Sequence, residues 1–126
     1  MKRSILICAV VLLVSATLVG AKQGNMASKG ILRHSAVFNF KPDVPQSQID
    51  KILADARATL PTIPGTTNIV IGPQTSSMTK YKFGMSIDFV NKEAKEAYAK
   101  SPKSKRLHEE YKQFVEDEIV IDILSQ

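Results

Sequence analysis

Residues 31–40, ILRHSAVFNF, alternate in polarity. Leu32, His34, Ala36, Phe38 and Phe40 fall on one side of an extended chain, and Arg33, Ser35, Val37 and Asn39 fall on the other. Strand side chains point to opposite faces with a period of two, so this reads as a first strand. His34 then lies in line with two phenylalanines, on the face expected to be buried. "KPDVP" breaks the strand. From Pro45 the rhythm changes: Ile49, Ile52, Leu53, Ala56 and Leu60 have the spacing of one helical face, closed by Pro61, Pro64 and Gly65. "TNIVIG", 67–72, reads as a second strand ended by Gly72-Pro73, and "PQTSSMTK" as a loop. In "YKFGMSIDF", 81–89, Tyr81, Phe83, Met85, Ile87 and Phe89 share one face. The spacing predicts a helix over 92–100, an interruption at Pro102, and a second helix over about 103–115 carrying Leu107, Tyr111, Phe114 and Val115. "EIVIDIL", 118–124, is the last strand.

The order β-α-β-β-α(α)-β is the ferredoxin-like α+β arrangement, a four-stranded antiparallel sheet with helices on one face. Val37 and the isoleucines 119, 121 and 123 place apolar residues on the second face as well. An apolar sheet face without covering helices marks a partner surface, and the simplest partner is a second copy related by a two-fold axis. The expectation is a homodimer packed sheet to sheet.

The first stretch does not belong to that domain. "MKRS" is a short basic start, "ILICAVVLLVSATLV" a continuous apolar run, and "VGA" at 19–21 offers small residues to a signal peptidase. This is the layout of a secretory signal peptide over 1–21, followed by a flexible lead-in at 22–30 and the domain at 31–126. The expected location is periplasmic or secreted; the alternative is a retained anchor. Removing Lys2 and Arg3 with the signal lowers the formal net charge from +5 to +3. No aromatic residues interleave with the basic cluster "KSPKSKR", 100–106, so nucleic acid is not an expected partner. Nor is stable membrane association once the signal is cleaved. The chain's single cysteine, Cys8, lies inside the apolar run. The remaining chain would therefore hold no disulfide, thiolate metal site or thiol nucleophile. No glycine-rich phosphate loop and no serine–histidine–acid set stands out, and no cofactor or metal is expected.

With its elements placed, the sequence resembles the stress-responsive dimeric α/β-barrel (Dabb) domain family. The matching pieces are "RHSAVFNFKPDV" at 33–44, "LPTIPG" at 60–65, "FGMSIDFVNKEAKEAY" at 83–98, "SP" at 101–102 and "VIDIL" at 120–124. The resemblance implies a ferredoxin-like dimer whose two sheets form a barrel. Many members have no assigned activity, some plant members are linked to stress, and a few are polyketide cyclases. In the cyclases a strand-one histidine faces a pocket between sheet and helices. It works with the second histidine of a His-Pro-x-His segment, and a tyrosine three residues before that segment lines the pocket. This chain keeps the first histidine as His34 and the tyrosine as Tyr98. The paired segment reads Ser101-Pro102-Lys103-Ser104. A serine hydroxyl at 104 cannot act as a general base near neutral pH as an imidazole can, so the cyclase chemistry does not transfer.

No residue is thus marked as catalytic, with His34 the weak candidate for an acid/base. The alternative for His34 is an imidazole held by a hydrogen bond to Asp122 or Tyr98. The candidate pocket residues are His34, Phe38, Phe40, Tyr98, Ser104 and Tyr111, around a small apolar or aromatic ligand. His108, flanked by Glu109, Glu110 and Lys112, reads as solvent-exposed. Two functions follow. One is a stress-related or ligand-binding homodimer; the other is a cofactor-free enzyme, cyclase-like or oxygenase-like, using His34.

Overall fold

A computed structural model of the chain describes residues 30–126. The signal segment 1–21 and residues 22–29 of the lead-in lie outside the described residues. The elements are β1 (Leu32–Phe40), α1 (Gln46–Thr59), β2 (Thr66–Pro73), β3 (Phe83–Phe89), α2 (Lys92–Lys100), α3 (Pro102–Tyr111) and β4 (Val115–Leu124). Short 3-10 turns follow α1 at Leu60–Thr62 and α3 at Lys112–Phe114. The strands form one antiparallel sheet in the order β2-β3-β1-β4, the expected ferredoxin-like topology.

Both alternating strands bury the predicted faces. Leu32, Ala36, Phe38 and Phe40 of β1, and Ile87 and Phe89 of β3, are buried against the helices, as are Ile49, Ile52, Leu53 and Ala56 of α1. Ile87 and Phe89 are 0% exposed, and full burial of such side chains stabilises by about 1.5–3 kcal/mol each. The core falls into two clusters. One gathers around Leu60, Ile63, Phe89 and Leu107, and the other around Phe38, Phe40, Ile49 and Leu53.

Gly65 carries the turn into β2. Its φ of +84° lies in the left-handed region, and a Cβ there would stand 2.8 Å from the Ala94 Cβ. Both conformation and space therefore require glycine at this crossing of β2 under α2.

Three boundaries differ from the sequence reading. The third strand starts at Phe83, not Tyr81, because Gln74 donates its side-chain amide to the Tyr81 and Ser76 carbonyls and holds the preceding stretch as a loop. The last helix ends at Tyr111, not 115, and tightens into the 3-10 turn. The last strand starts at Val115, not 118, because Val115 already pairs with Phe40 across a register shift at Asn39/Phe40.

The open sheet face is apolar along β4, where Ile119, Ile121 and Ile123 are each about half exposed. The helices cover the other side of β4 only in part, since Val120 there is 49% and Leu124 43% exposed. Among the described residues no helix is long and apolar enough to cross a membrane.

Candidate functional site

The site begins with one cross-strand pair. In the β1–β4 register His34 stands directly opposite Asp122, so both project toward the helices. His34 Nδ1 lies 2.6 Å from Asp122 Oδ1, and Lys95 of α2 donates to Asp122 Oδ2 at 2.6 Å. Desolvation favours the neutral acid at Asp122. The hydrogen bonds from Lys95 and then His34 outweigh it and hold the carboxyl below its ordinary range. An ionised carboxylate only accepts, so Nδ1 carries the proton toward it. In the neutral ring Nε2 is then an acceptor. Nε2 makes no hydrogen bond among the described residues. The ring packs beside Phe89 and Tyr98, with centroids 6.4 Å away in each case.

The opposing wall comes from the α2–α3 corner. Asn91 caps α2 by accepting from the Ala94 N–H at 2.8 Å, and Ser101 caps α3 by accepting from the Ser104 N–H at 3.3 Å. Pro102 occupies the first helical turn, where its missing N–H costs nothing. The Ser-Pro pair of the Ser101–Ser104 segment thus has a capping role. It ends α2 just after Tyr98 and starts α3 so that Ser104 and Leu107 turn inward, where both are buried.

Between the two walls lies a cavity of about 630 Å³. All six pocket candidates, His34, Phe38, Phe40, Tyr98, Ser104 and Tyr111, border it, together with apolar residues of α1, β2 and β3 such as Leu53, Ile71 and Met85. Its rim is charged, with Lys105, Glu109, Lys112, Glu116 and Glu118. His108 is exposed, as expected, but sits on that rim. The hydroxyls of Tyr98 and Ser104 make no hydrogen bond among the described residues. The Tyr111 hydroxyl is committed, since it donates to Asp55 of α1. Burial first, and then the Asp55 carboxylate, push that phenol above its ordinary pKa. Asp55 also receives two bonds from Arg106, at 2.8 and 3.1 Å, and one from Thr59. Arg106 first, and then Tyr111, hold its carboxyl far below the carboxylate range. Arg106, the last residue of the basic cluster 100–106, clamps α3 to α1 through Asp55.

Sequence reasoning missed a second aspartate. Asp88 of β3 lies on the open sheet face yet is 2% exposed. Arg33 binds it in a fork, Nε to Oδ1 at 2.7 Å and Nη2 to Oδ2 at 2.8 Å, and Asn68 donates to Oδ2 at 3.0 Å. Asn68 reaches it from the irregularity between Thr67 and Val70, with a φ of 47° that asparagine tolerates. The available signal was the pairing of Arg33 and Asp88 on polar faces of alternating strands; the bulge that helps to bury Asp88 left no mark. Among the described residues no cluster of three or more metal-ligating side chains forms.

A ferredoxin-like sheet with a largely apolar cavity under its helices defines the class. The chain belongs to the stress responsive A/B barrel (Dabb) domain family, whose model matches residues 32–125. Among solved structures, it is similar to a Dabb family protein with a ferredoxin-like fold from Mesorhizobium loti. That likeness has 27% identity, a TM-score of 0.71, and covers 78% of this chain and 99% of that one. It is also similar to a hydroxynitrile lyase from Passiflora edulis, with 19% identity, a TM-score of 0.71, and 77% and 94% of the two chains covered. A dimeric ferredoxin-like protein of unknown function from Thermobifida fusca shares 17% identity at a TM-score of 0.69, with 77% and 92% covered. The last two likenesses show the fold alone. No curated protein matches the chain.

Proposed function

We propose that this protein is an exported homodimer that binds a small, largely apolar molecule in the cavity between sheet and helices. The observation that carries this is the cavity itself: about 630 Å³, largely apolar, and bordered by His34, Tyr98 and Ser104, each of which has a polar side-chain atom without a partner among the described residues. That is the usual constitution of a small-molecule site. The dimer is supported by the exposed isoleucines of β4 and by neighbours described as dimeric. Export is supported by the basic start, apolar run and small residues of 1–21. A link to stress rests on the family's description.

Native mass spectrometry of the protein, purified gently from an exporting host, tests all three parts. The expected result is a dimer lacking residues 1–21 and carrying extra mass. A bare monomer that keeps the N-terminal segment would overturn the reading.

A second reading, a cofactor-free enzyme with His34 as acid/base, is favoured by one observation. Asp122 orients the His34 ring as a carboxylate orients a catalytic histidine. The likeness to a hydroxynitrile lyase supports only the capacity of this fold to hold an active site. His34→Ala abolishes turnover on this reading and only weakens binding on the first.

A further inference from the structure

Resting on the cavity reading, we propose that the polar end of the ligand is a neutral hydroxyl, of an alcohol or phenol, that donates its proton to His34 Nε2. Three observations lead there. First, Asp122 holds Nδ1 at 2.6 Å, which makes Nε2 the accepting edge of the neutral ring, and packing against Phe89 and Tyr98 keeps the ring in that orientation. An acceptor in a cavity wall asks for a donor, and an ether or hydrocarbon would leave it unpaired. Second, Lys95 is already committed to Asp122 at 2.6 Å, so no free cation stands behind the imidazole. A carboxylate placed at Nε2 would approach Asp122 without compensation. The remaining cations that border the cavity, Lys105 and Lys112, lie at the rim among Glu109, Glu116, Asp117 and Glu118. Third, Tyr98 and Ser104 border the same cavity, and their hydroxyls have no partners among the described residues. A hydroxyl that donates to Nε2 still has lone pairs to accept from one of them. The remaining inner wall, including Phe38, Ile52, Leu53 and Met85, suits an apolar body.

The test uses three probes of one shape: 4-propylphenol, 4-propylanisole and 4-propylbenzoate. Each is titrated into the protein purified after expression of the full-length chain, with binding read by calorimetry. The phenol is expected to bind about tenfold or more tightly than either of the others, the scale of one satisfied against one unsatisfied buried hydrogen bond. In Asp122→Asn the amide can turn either its oxygen or its nitrogen toward Nδ1, so the proton is no longer fixed. The phenol's advantage over the anisole should then shrink to about threefold or less, on the same scale. Long-range ¹H–¹⁵N correlation spectra of the unsubstituted protein provide a readout that needs neither ligand nor variant. They should show the neutral His34 ring protonated at Nδ1 and bare at Nε2. Equal binding of all three probes, tighter binding of the benzoate, or a neutral ring protonated at Nε2 overturns this inference and leaves the cavity reading standing. Failure of all three to bind overturns both.

Discussion

Arg33 and His34 are neighbours in β1 and point to opposite faces of the sheet. Each stands across from an aspartate, Arg33 from Asp88 of β3 and His34 from Asp122 of β4. The chemistry of the two pairs is nonetheless different. Asp88 is buried and accepts three hydrogen bonds, two from a cation that does not lose its proton. Arg33 first, and Asn68 with it, hold its carboxyl below the ordinary range against desolvation. The Asp88 carboxylate is closed: both its oxygens are bonded within the protein and shielded from solvent, and only the outer edge of Arg33 stays exposed. The His34–Asp122 pair uses one ring nitrogen and leaves the other at the border of a cavity. The strand geometry is the same on both faces. What separates structure from candidate chemistry is the unspent valence, and whether it meets solvent, protein or a cavity.

The two faces also differ in what would cover them. The open face carries the closed pair and the isoleucine row of β4; the other carries the cavity. Ile121→Asp should separate them. In a two-fold dimer the substituted residue enters the interface twice, so two carboxylates would be desolvated together. The dimer should weaken by at least about a hundredfold, which corresponds to ~2.7 kcal/mol. Sedimentation velocity reads the loss, and probe binding in the cavity should survive. If the protein stays dimeric, the copies do not meet on this face.

Arg33→Met should produce the next largest change. It strands the Asp88 carboxylate with only Asn68 as donor. Asp88 is buried but the Arg33 side chain is 55% exposed, so water can follow the lost guanidinium to the carboxylate and the loss falls short of that for a fully buried pair. The sign with pH is definite. In the parent, Asp88 has a folded pKa below its unfolded value near 3.9, so its contribution is full above about pH 4 and is lost as pH falls through the folded value. In Arg33→Met the carboxylate is uncompensated, so its folded pKa should rise and the stability deficit should narrow on acidification. Urea denaturation at pH 7 and pH 4 measures both. A second replacement, Asp88→Leu in the same chain, should recover most of the loss, because an apolar pair leaves nothing unpaired. A deficit independent of pH would show that Arg33 acts through packing and not through Asp88.

Much of this was legible before any coordinates, and the gaps have physical reasons. The periods of two and 3.6 placed β1, β3 and α1 on their faces, because burial on one side is what those periods encode. A hydrogen-bond partner for His34 was expected in Asp122 or Tyr98. Deciding for Asp122 needed the β1–β4 register, which depends on strand neighbours far apart in sequence. Asp88 alternates with Ile87 and Phe89 and so falls on the polar face of β3, but its burial depends on the Thr67–Val70 irregularity, a local backbone event without a glycine or proline to announce it. The early end of α3 was hidden for the same reason: "KQFVEDE" continues the helical pattern without a stop signal, and pairing of Val115 with Phe40 ends it instead. The clamp made by Arg106 was not legible because its partner, Asp55, lies on another helix.

The smallest effect on stability should come from His34, and that is what gives it value. His34→Phe keeps a ring beside Phe89 and Tyr98 and removes the bond to Asp122, whose side chain is 37% exposed and still held by Lys95. Water can replace the lost donor there, so the net cost is expected to stay within about 1 kcal/mol. The phenol's advantage over its methyl ether should vanish in the same variant, because no acceptor remains at that wall. A residue of little structural weight whose loss removes ligand discrimination is placed for function. A stability loss approaching that of Arg33→Met, with discrimination intact, would make His34–Asp122 a second closed pair and remove the difference between the two faces of β1.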